Sequence, residues 1–154
     1  MTNQLQIAKD QVAKQFKENN GLVFIVSDDI DHGGEAFNQL SEGLNLNHTF
    51  VVASRKEDKV TYHSPAPVYM GDEELTLAKK IQWIKGFNYN CVSIISPTKD
   101  ECLTFVEQWK EKPVSGYVCV DAMVFEQISN ENAEAGAVVV FLDPQGQIEE
   151  VYTV

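Results

Sequence analysis

The sequence predicts a single-domain α/β fold, a three-layer sandwich with a mostly parallel mixed sheet and a C-terminal antiparallel hairpin. Its 154 residues, 44% of them apolar, are enough to bury one core without disulfides or a structural metal. Segments with helical periodicity alternate with short apolar runs, the order typical of a parallel sheet between helix layers. No internal repeat and no linker interrupts the pattern, so we expect one domain spanning residues 1–154.

The first third of the chain predicts two helices and two strands. Residues 4–18 carry apolar side chains at spacings of three and four, which indicates one buried helix stripe (Leu5, Ala8, Val12 and Phe16). The continuous apolar run 22–27 predicts a strand covered on both faces. We expect a turn at 28–34, a short helix around residues 36–40 and a second strand at 48–54.

The middle of the chain is less regular. Residues 55–72 form an excursion in which 59–62 is a short edge strand and two prolines exclude a helix. Asp72 can cap a helix that ends at Gly86. The apolar side chains of this predicted helix recur at i, i+4 and i+7. The apolar run 91–96 predicts the third long strand.

The last third begins with the best-defined helix. Thr98 and Glu101 have the spacing of a capping box, and the helix has to end before Pro113. A buried strand at 116–121 and a short helix at 123–128 follow. The final two apolar runs predict a hairpin whose turn residues are Pro144 and Gly146, with the last strand at one edge of the sheet.

The charge balance limits the classes of partner. Twelve basic and 23 acidic residues give a net charge of −11, which disfavours direct binding to nucleic acids and to anionic membranes. The acidity can serve solubility alone, or it can present a surface to a basic partner or mimic a nucleic acid. The N-terminal residues lack the apolar run of a signal peptide and no window is long enough to span a membrane, so we expect a cytoplasmic protein.

The three cysteines, Cys91, Cys102 and Cys119, do not form a recognisable motif. Their number is odd and no CxxC spacing occurs, so the sequence supports neither a disulfide framework nor a thioredoxin-type site. Each lies in an apolar segment, which favours small buried side chains over reactive thiols.

Polar residues follow the predicted parallel strands, where ligands of open α/β sheets usually bind. The strongest group is Asp28, Asp29 and Asp31, whose carboxylates are suitable ligands for Mg²⁺ or Ca²⁺, while Gly33 and Gly34 would let the backbone turn around an ion. The same aspartates can instead cap a helix or stabilise a turn. If the aspartates bind a metal ion, Asp121 or His32 would act as the acid or base. No cofactor other than this ion is predicted.

Two short segments resemble known families. The segment 29–36, DIDHGGEA, resembles the DxDxGxDD metal loop of nucleoside hydrolases, but it is one residue shorter and Glu35 stands where two aspartates are expected. The acidic pair after the first strand, with Thr98 and Lys99 after a later one, resembles a response-regulator receiver domain. No lone aspartate ends the third strand as the acceptor of phosphate. Neither activity is therefore carried over to this chain.

Large apolar side chains outside the helix stripes indicate a contact surface. Tyr62, Tyr69 and Met70 lie in the irregular excursion, and Trp83 lies off the main stripe of its helix. Such residues are enriched at interfaces, which would make the protein a homodimer or part of a larger assembly. The alternative is that the excursion folds over the core and covers them.

The common nucleotide-binding, serine-hydrolase and zinc-protease motifs are absent from the sequence. We therefore expect a non-catalytic binding or regulatory module that acts through protein–protein contacts. One alternative is a small metal-dependent hydrolase or phosphate-handling enzyme built on the acidic segment. A second is an acidic nucleic-acid mimic that inhibits a DNA-binding protein.

Overall fold

The computed structural model describes residues 4–19, 21–44, 46–56, 59–63, 76–85, 89, 91–111, 115–133 and 135–154. Within them the chain forms, in order, α1 (Gln4–Asn19), β1 (Leu22–Val26), α2 (Ile30–Ser41), β2 (His48–Lys56), β3 (Lys59–His63), α3 (Leu77–Lys85), β4 (Cys91–Ile95), α4 (Lys99–Glu111), β5 (Ser115–Val120), α5 (Ala122–Ser129), β6 (Val138–Leu142) and β7 (Ile148–Thr153). No helix of this described part is long and apolar enough to cross a membrane.

The strands form one seven-stranded sheet in the order β3-β2-β4-β5-β1-β6-β7. The five inner strands are parallel to one another, while β3 and β7 pair antiparallel at the two edges. The predicted mixed sheet with a C-terminal antiparallel hairpin is therefore confirmed.

Helices cover both faces of the sheet. Along β1 every side chain is buried, and alternate residues belong to two separate clusters, as the two-residue period of a strand requires. Helices α1 and α2 contribute Val12 and Leu40 to one cluster. On the opposite face α3, α4 and α5 contribute Ile81, Phe105 and Ile128.

This arrangement separates the connections that follow β1 and β5. The two strands are neighbours, yet the chain leaves β1 for α2 on one face and leaves β5 for α5 on the other. Adjacent strands whose connections diverge in this way leave a crevice at their carboxyl ends, where ligands of α/β proteins usually bind.

Helix α2 begins earlier than the sequence predicts. Residues 30–34, expected in a turn, form its first turn and a half, because the Asp29 side chain caps the helix by accepting from the backbone N–H groups of Asp31 and His32. Gly33 and Gly34 are therefore helical. The predicted cap Asp72 and the predicted helix end Gly86 lie outside the described residues.

Candidate functional site

The carboxyl ends of three central strands lie level with one another. Val26 at the end of β1 pairs with Val120 of β5 and with Phe141 of β6. The residues that follow these strands therefore meet along the line of carboxyl-terminal strand ends, here called the carboxyl edge of the sheet. Asp28 connects two of these segments directly, since its Oδ1 accepts a hydrogen bond of 3.2 Å from the backbone N–H of Ala122.

The predicted acidic residues act as helix caps. Asp29 Oδ1 accepts from the N–H groups of Asp31 at 2.8 Å and His32 at 3.3 Å. Asp121 Oδ1 accepts from the N–H of Val124 at 2.8 Å. With the bond from Ala122 to Asp28, these contacts satisfy backbone donors that the first turn of a helix leaves without an internal partner.

Asp31 is exposed in the first turn of α2, where a negative charge interacts favourably with the helix dipole. Among the described residues no group of three or more His, Cys, Asp or Glu side chains is arranged to hold a metal ion. The metal site at Asp28, Asp29 and Asp31 therefore stays a prediction, and the hydrogen bonds support the capping interpretation.

A cleft of about 280 Å³ lies between the ends of β1 and β6, lined by Ser27, Asp28, Asp29, His32, Leu142, Asp143 and Pro144. His32 Nδ1 is 3.8 Å from Asp29 Oδ2. The His32 ring lies against the turn between β6 and β7. It is so close that a Cβ placed on Gly146 would be 2.9 Å from the ring. An imidazole beside a carboxylate is a common acid–base arrangement. Asp121, predicted as an alternative acid or base, caps α5, and both assignments stay predictions.

Two large apolar side chains are exposed at the same edge. Ile30 is 58% exposed and Met123 is 72% exposed. Each lies within two residues of the hydrogen bond between Ala122 and Asp28. Neither residue is predicted from the sequence as a contact residue, although Met123 lies away from the buried stripe of Phe125 and Ile128 and could be recognised on that ground.

Glu101 forms a second polar cluster at the carboxyl ends of β2 and β4. The predicted capping box is confirmed: Thr98 N–H donates to Glu101 Oε1 at 3.0 Å and Glu101 N–H donates to Thr98 Oγ1 at 3.3 Å. Glu101 is 8% exposed, and it also pairs with Arg55 and accepts from the Tyr62 hydroxyl. The spacing of Thr98 and Glu101 predicted the capping box, but not the contacts of Glu101 with Arg55 and Tyr62.

The predicted contact aromatics have different positions. Tyr62 is half-buried, packs against the core and donates its hydroxyl to Glu101 Oε2 at 2.9 Å. Burial and this hydrogen bond raise the pKa of Tyr62 to about 12. The structure therefore gives Tyr62 an internal role. Tyr69, Met70 and the side chain of Trp83, a residue of α3, lie outside the described part of the chain.

The cysteines are not activated. Cys91 and Cys102 are buried and Cys119 is half-buried. Burial raises the pKa of Cys91 and Cys102 to about 12 and that of Cys119 to about 11. At neutral pH these groups remain thiols, whereas the thiolate is the nucleophile.

His48 lies beside Cys91 in the sheet register, but its Nε2 is 2.7 Å from the hydroxyl oxygen of Ser93. Its ring also packs against Phe37, with the ring centres 4.4 Å apart. Burial lowers the pKa of His48 to about 4, so the imidazole is neutral at pH 7. A Cys91 nucleophile with His48 as its base gains no support, because burial keeps the thiol protonated.

No protein-family model matches this chain, and no curated protein is significantly similar to it in sequence. Function is therefore inferred from the geometry of the carboxyl edge.

Proposed function

We propose that the protein is a non-catalytic binding module that contacts a protein partner through the carboxyl edge of its sheet. The contact region, here called the edge surface, consists of Ile30 and Met123 with the surrounding carboxylates Asp28, Asp29, Asp31 and Asp121. The proposal rests on the exposure of Ile30 and Met123, at 58% and 72%. Apolar side chains surrounded by polar residues are typical of interaction sites.

The chemistry of the edge supports binding over catalysis. Asp28, Asp29 and Asp121 each use an oxygen to cap or connect helices, which is a structural use of the carboxylates. The thiols are held protonated by burial. The three free cysteines also fit a reducing compartment, and we propose a cytoplasmic location.

Quantitative affinity purification tests the proposal. Three immobilised baits are compared: the wild type, Ile30→Ser with Met123→Ser, and a control in which Val60 and Val154, each 46% exposed elsewhere, become Ser. A partner of the edge surface is retained by the wild type and the control and lost from the edge variant. The recovered partner is then purified and its Kd measured for all three proteins. Equal recovery and equal Kd values on every bait would overturn the proposal.

The cleft favours a second candidate, a metal-dependent hydrolase or phosphate-handling enzyme, because it places His32 near Asp29 with Asp28 and Asp143. Thermal melts with and without millimolar Mg²⁺, Ca²⁺ or Mn²⁺ distinguish the two, since an ion that binds only the folded state raises its stability. The enzyme requires a rise in Tm that disappears in Asp28→Asn with Asp31→Asn. The binding module predicts no such rise.

A nucleic-acid mimic requires its carboxylates along one face. The exposed acids include Glu35 on α2, Glu107 on α4, Glu126 on α5 and Glu149 on β7. They therefore lie on both helix layers and on an edge strand, and this distribution does not favour a mimic.

A further inference from the structure

We propose that the segment seated on the edge surface is basic and amphipathic, with lysine or arginine side chains beside one or two apolar ones. This inference rests on the proposed function and adds the chemistry of the partner. It follows from three features of the edge surface: its apolar pair, its carboxylates, and the state of the neighbouring cations.

The apolar pair gives the partner an anchoring point. Ile30 begins α2 and Met123 lies in the first turn of α5, so the two side chains come from helices on opposite faces of the sheet. The hydrogen bond between Asp28 and Ala122 holds the two helix starts together. Each of the two helix starts therefore offers one exposed apolar side chain to a partner, and methionine adapts well to the shape of a bound group.

The carboxylates around this pair remain available for charge pairing. Asp28, Asp29 and Asp121 are exposed. Asp28 and Asp121 each accept a hydrogen bond within the fold through Oδ1, while Asp29 caps α2 and also lies beside His32. Asp31 is exposed beside them. Carboxylates at the rim of an apolar contact attract lysine and arginine, and they accelerate the encounter with a basic partner.

Two cations with described side chains at the same end of the sheet are already engaged. Arg55, at the end of β2, pairs with Glu101, and Lys99, at the start of α4, pairs with Glu131. Their charges are therefore compensated locally, and the edge surface keeps its negative charge. The net charge of −11 adds to the attraction for a cationic segment.

A second copy of this chain fits the surface less well. In a two-fold symmetric dimer the same patch faces itself, so the aspartates of one edge surface would oppose those of the other. Like charges across an interface cost free energy. A homodimer, one of the two assemblies that the sequence allows, is therefore an alternative outcome of the experiment.

The experiment uses two synthetic peptides of about 18 residues, long enough to form amphipathic helices on binding. One contains leucine and lysine, and the other has glutamate in place of every lysine. Fluorescence anisotropy gives the Kd of each peptide for the wild-type protein at about 50 and about 300 mM NaCl, because salt screens charge pairs at an exposed surface. Sedimentation of the protein alone reports its oligomeric state.

Two variants carry the same change in charge. Asp31→Asn with Asp121→Asn neutralises the edge surface, and Asn keeps an oxygen that can cap α5. Glu149→Gln with Glu150→Gln neutralises two exposed residues of β7 as the matched control. We expect the edge variant to bind the lysine peptide about tenfold more weakly and the control less than about twofold. Ile30→Ser with Met123→Ser is expected to weaken it as well.

Binding of the lysine peptide alone, with this pattern and a loss at high salt, supports the inference. Equal binding of the glutamate peptide, no binding of either peptide, or equal losses in the edge variant and the control would overturn it. A wild-type dimer that Ile30→Ser with Met123→Ser converts to a monomer would overturn it in favour of a second copy. In each case affinity purification still decides the proposed function separately, since it does not depend on the charge of the partner.

Discussion

Replacing Gly34 by alanine is expected to stabilise the protein. Gly34 lies inside α2, and a Cβ added there would meet no atom within 4 Å apart from its chain neighbours and the backbone of its own helix. Glycine in a helix costs about 0.5–1 kcal/mol relative to alanine, because it loses more backbone freedom on folding. The free energy of unfolding should therefore rise by about 0.5–1 kcal/mol, and Tm by roughly 1.5–3 °C for a chain of this size.

Gly146 provides the opposite case. Its φ is +84°, and an added Cβ would be 2.9 Å from the His32 ring. The left-handed conformation alone costs an alanine about 1–2 kcal/mol, and the contact with His32 adds to this cost. Gly146→Ala should therefore destabilise the protein at the turn beside the cleft.

Urea denaturation followed by far-ultraviolet circular dichroism measures both variants against the wild type. The comparison also tests the two interpretations of the acidic segment, because a loop wrapped around an ion would need Gly34 for its backbone freedom. A loss of stability in Gly34→Ala comparable to that in Gly146→Ala would refute the assignment of residues 30–34 to a capped helix.

Three further changes test the polar contacts. Asp29→Ala should lower the free energy of unfolding in urea denaturation by about 1 kcal/mol. Asp29→Ser should lose much less, since serine caps helices well and binds metal poorly. Equal losses in the two variants would contradict the capping role. Glu101→Ala should cost about 2–3 kcal/mol in the same assay, because it leaves Arg55 and Tyr62 without their acceptor. Lys99→Ala, which breaks an exposed pair, is its control and should change little. Burial lowers the pKa of His48 from 6.5 to about 4, so the unfolded state binds a proton more readily between these values. The free energy of unfolding should then fall as the pH is lowered from 7 to about 4.5. The fall should be about 1–2 kcal/mol larger in the wild type than in His48→Gln, allowing for partial exposure of the ring. Parallel pH profiles of the two proteins would contradict this.

Local patterns predicted much of the fold and part of the site. The Thr98 and Glu101 capping box is a contact between residues three apart, so spacing alone revealed it. The start of α2 was predicted wrongly because two consecutive glycines suggested a turn, while the Asp29 cap and the packing of Ala36 and Leu40 against the sheet favour a helix. Tertiary packing outweighs an intrinsic preference of about 1 kcal/mol per residue.

The sequence by itself determined the order of helices and strands, the antiparallel hairpin at the C-terminus and the acidic character of the surface. These properties depend on periodicity, turn residues and composition, which act over a few neighbouring positions. Only the tertiary structure decided the strand order and therefore which loops meet. It brought Asp28 to Ala122, 94 residues away along the chain, and left Ile30 and Met123 exposed beside that contact. A two-residue or 3.6-residue period shows which face of an element is buried, but the neighbours of that element are selected by packing across the whole sheet.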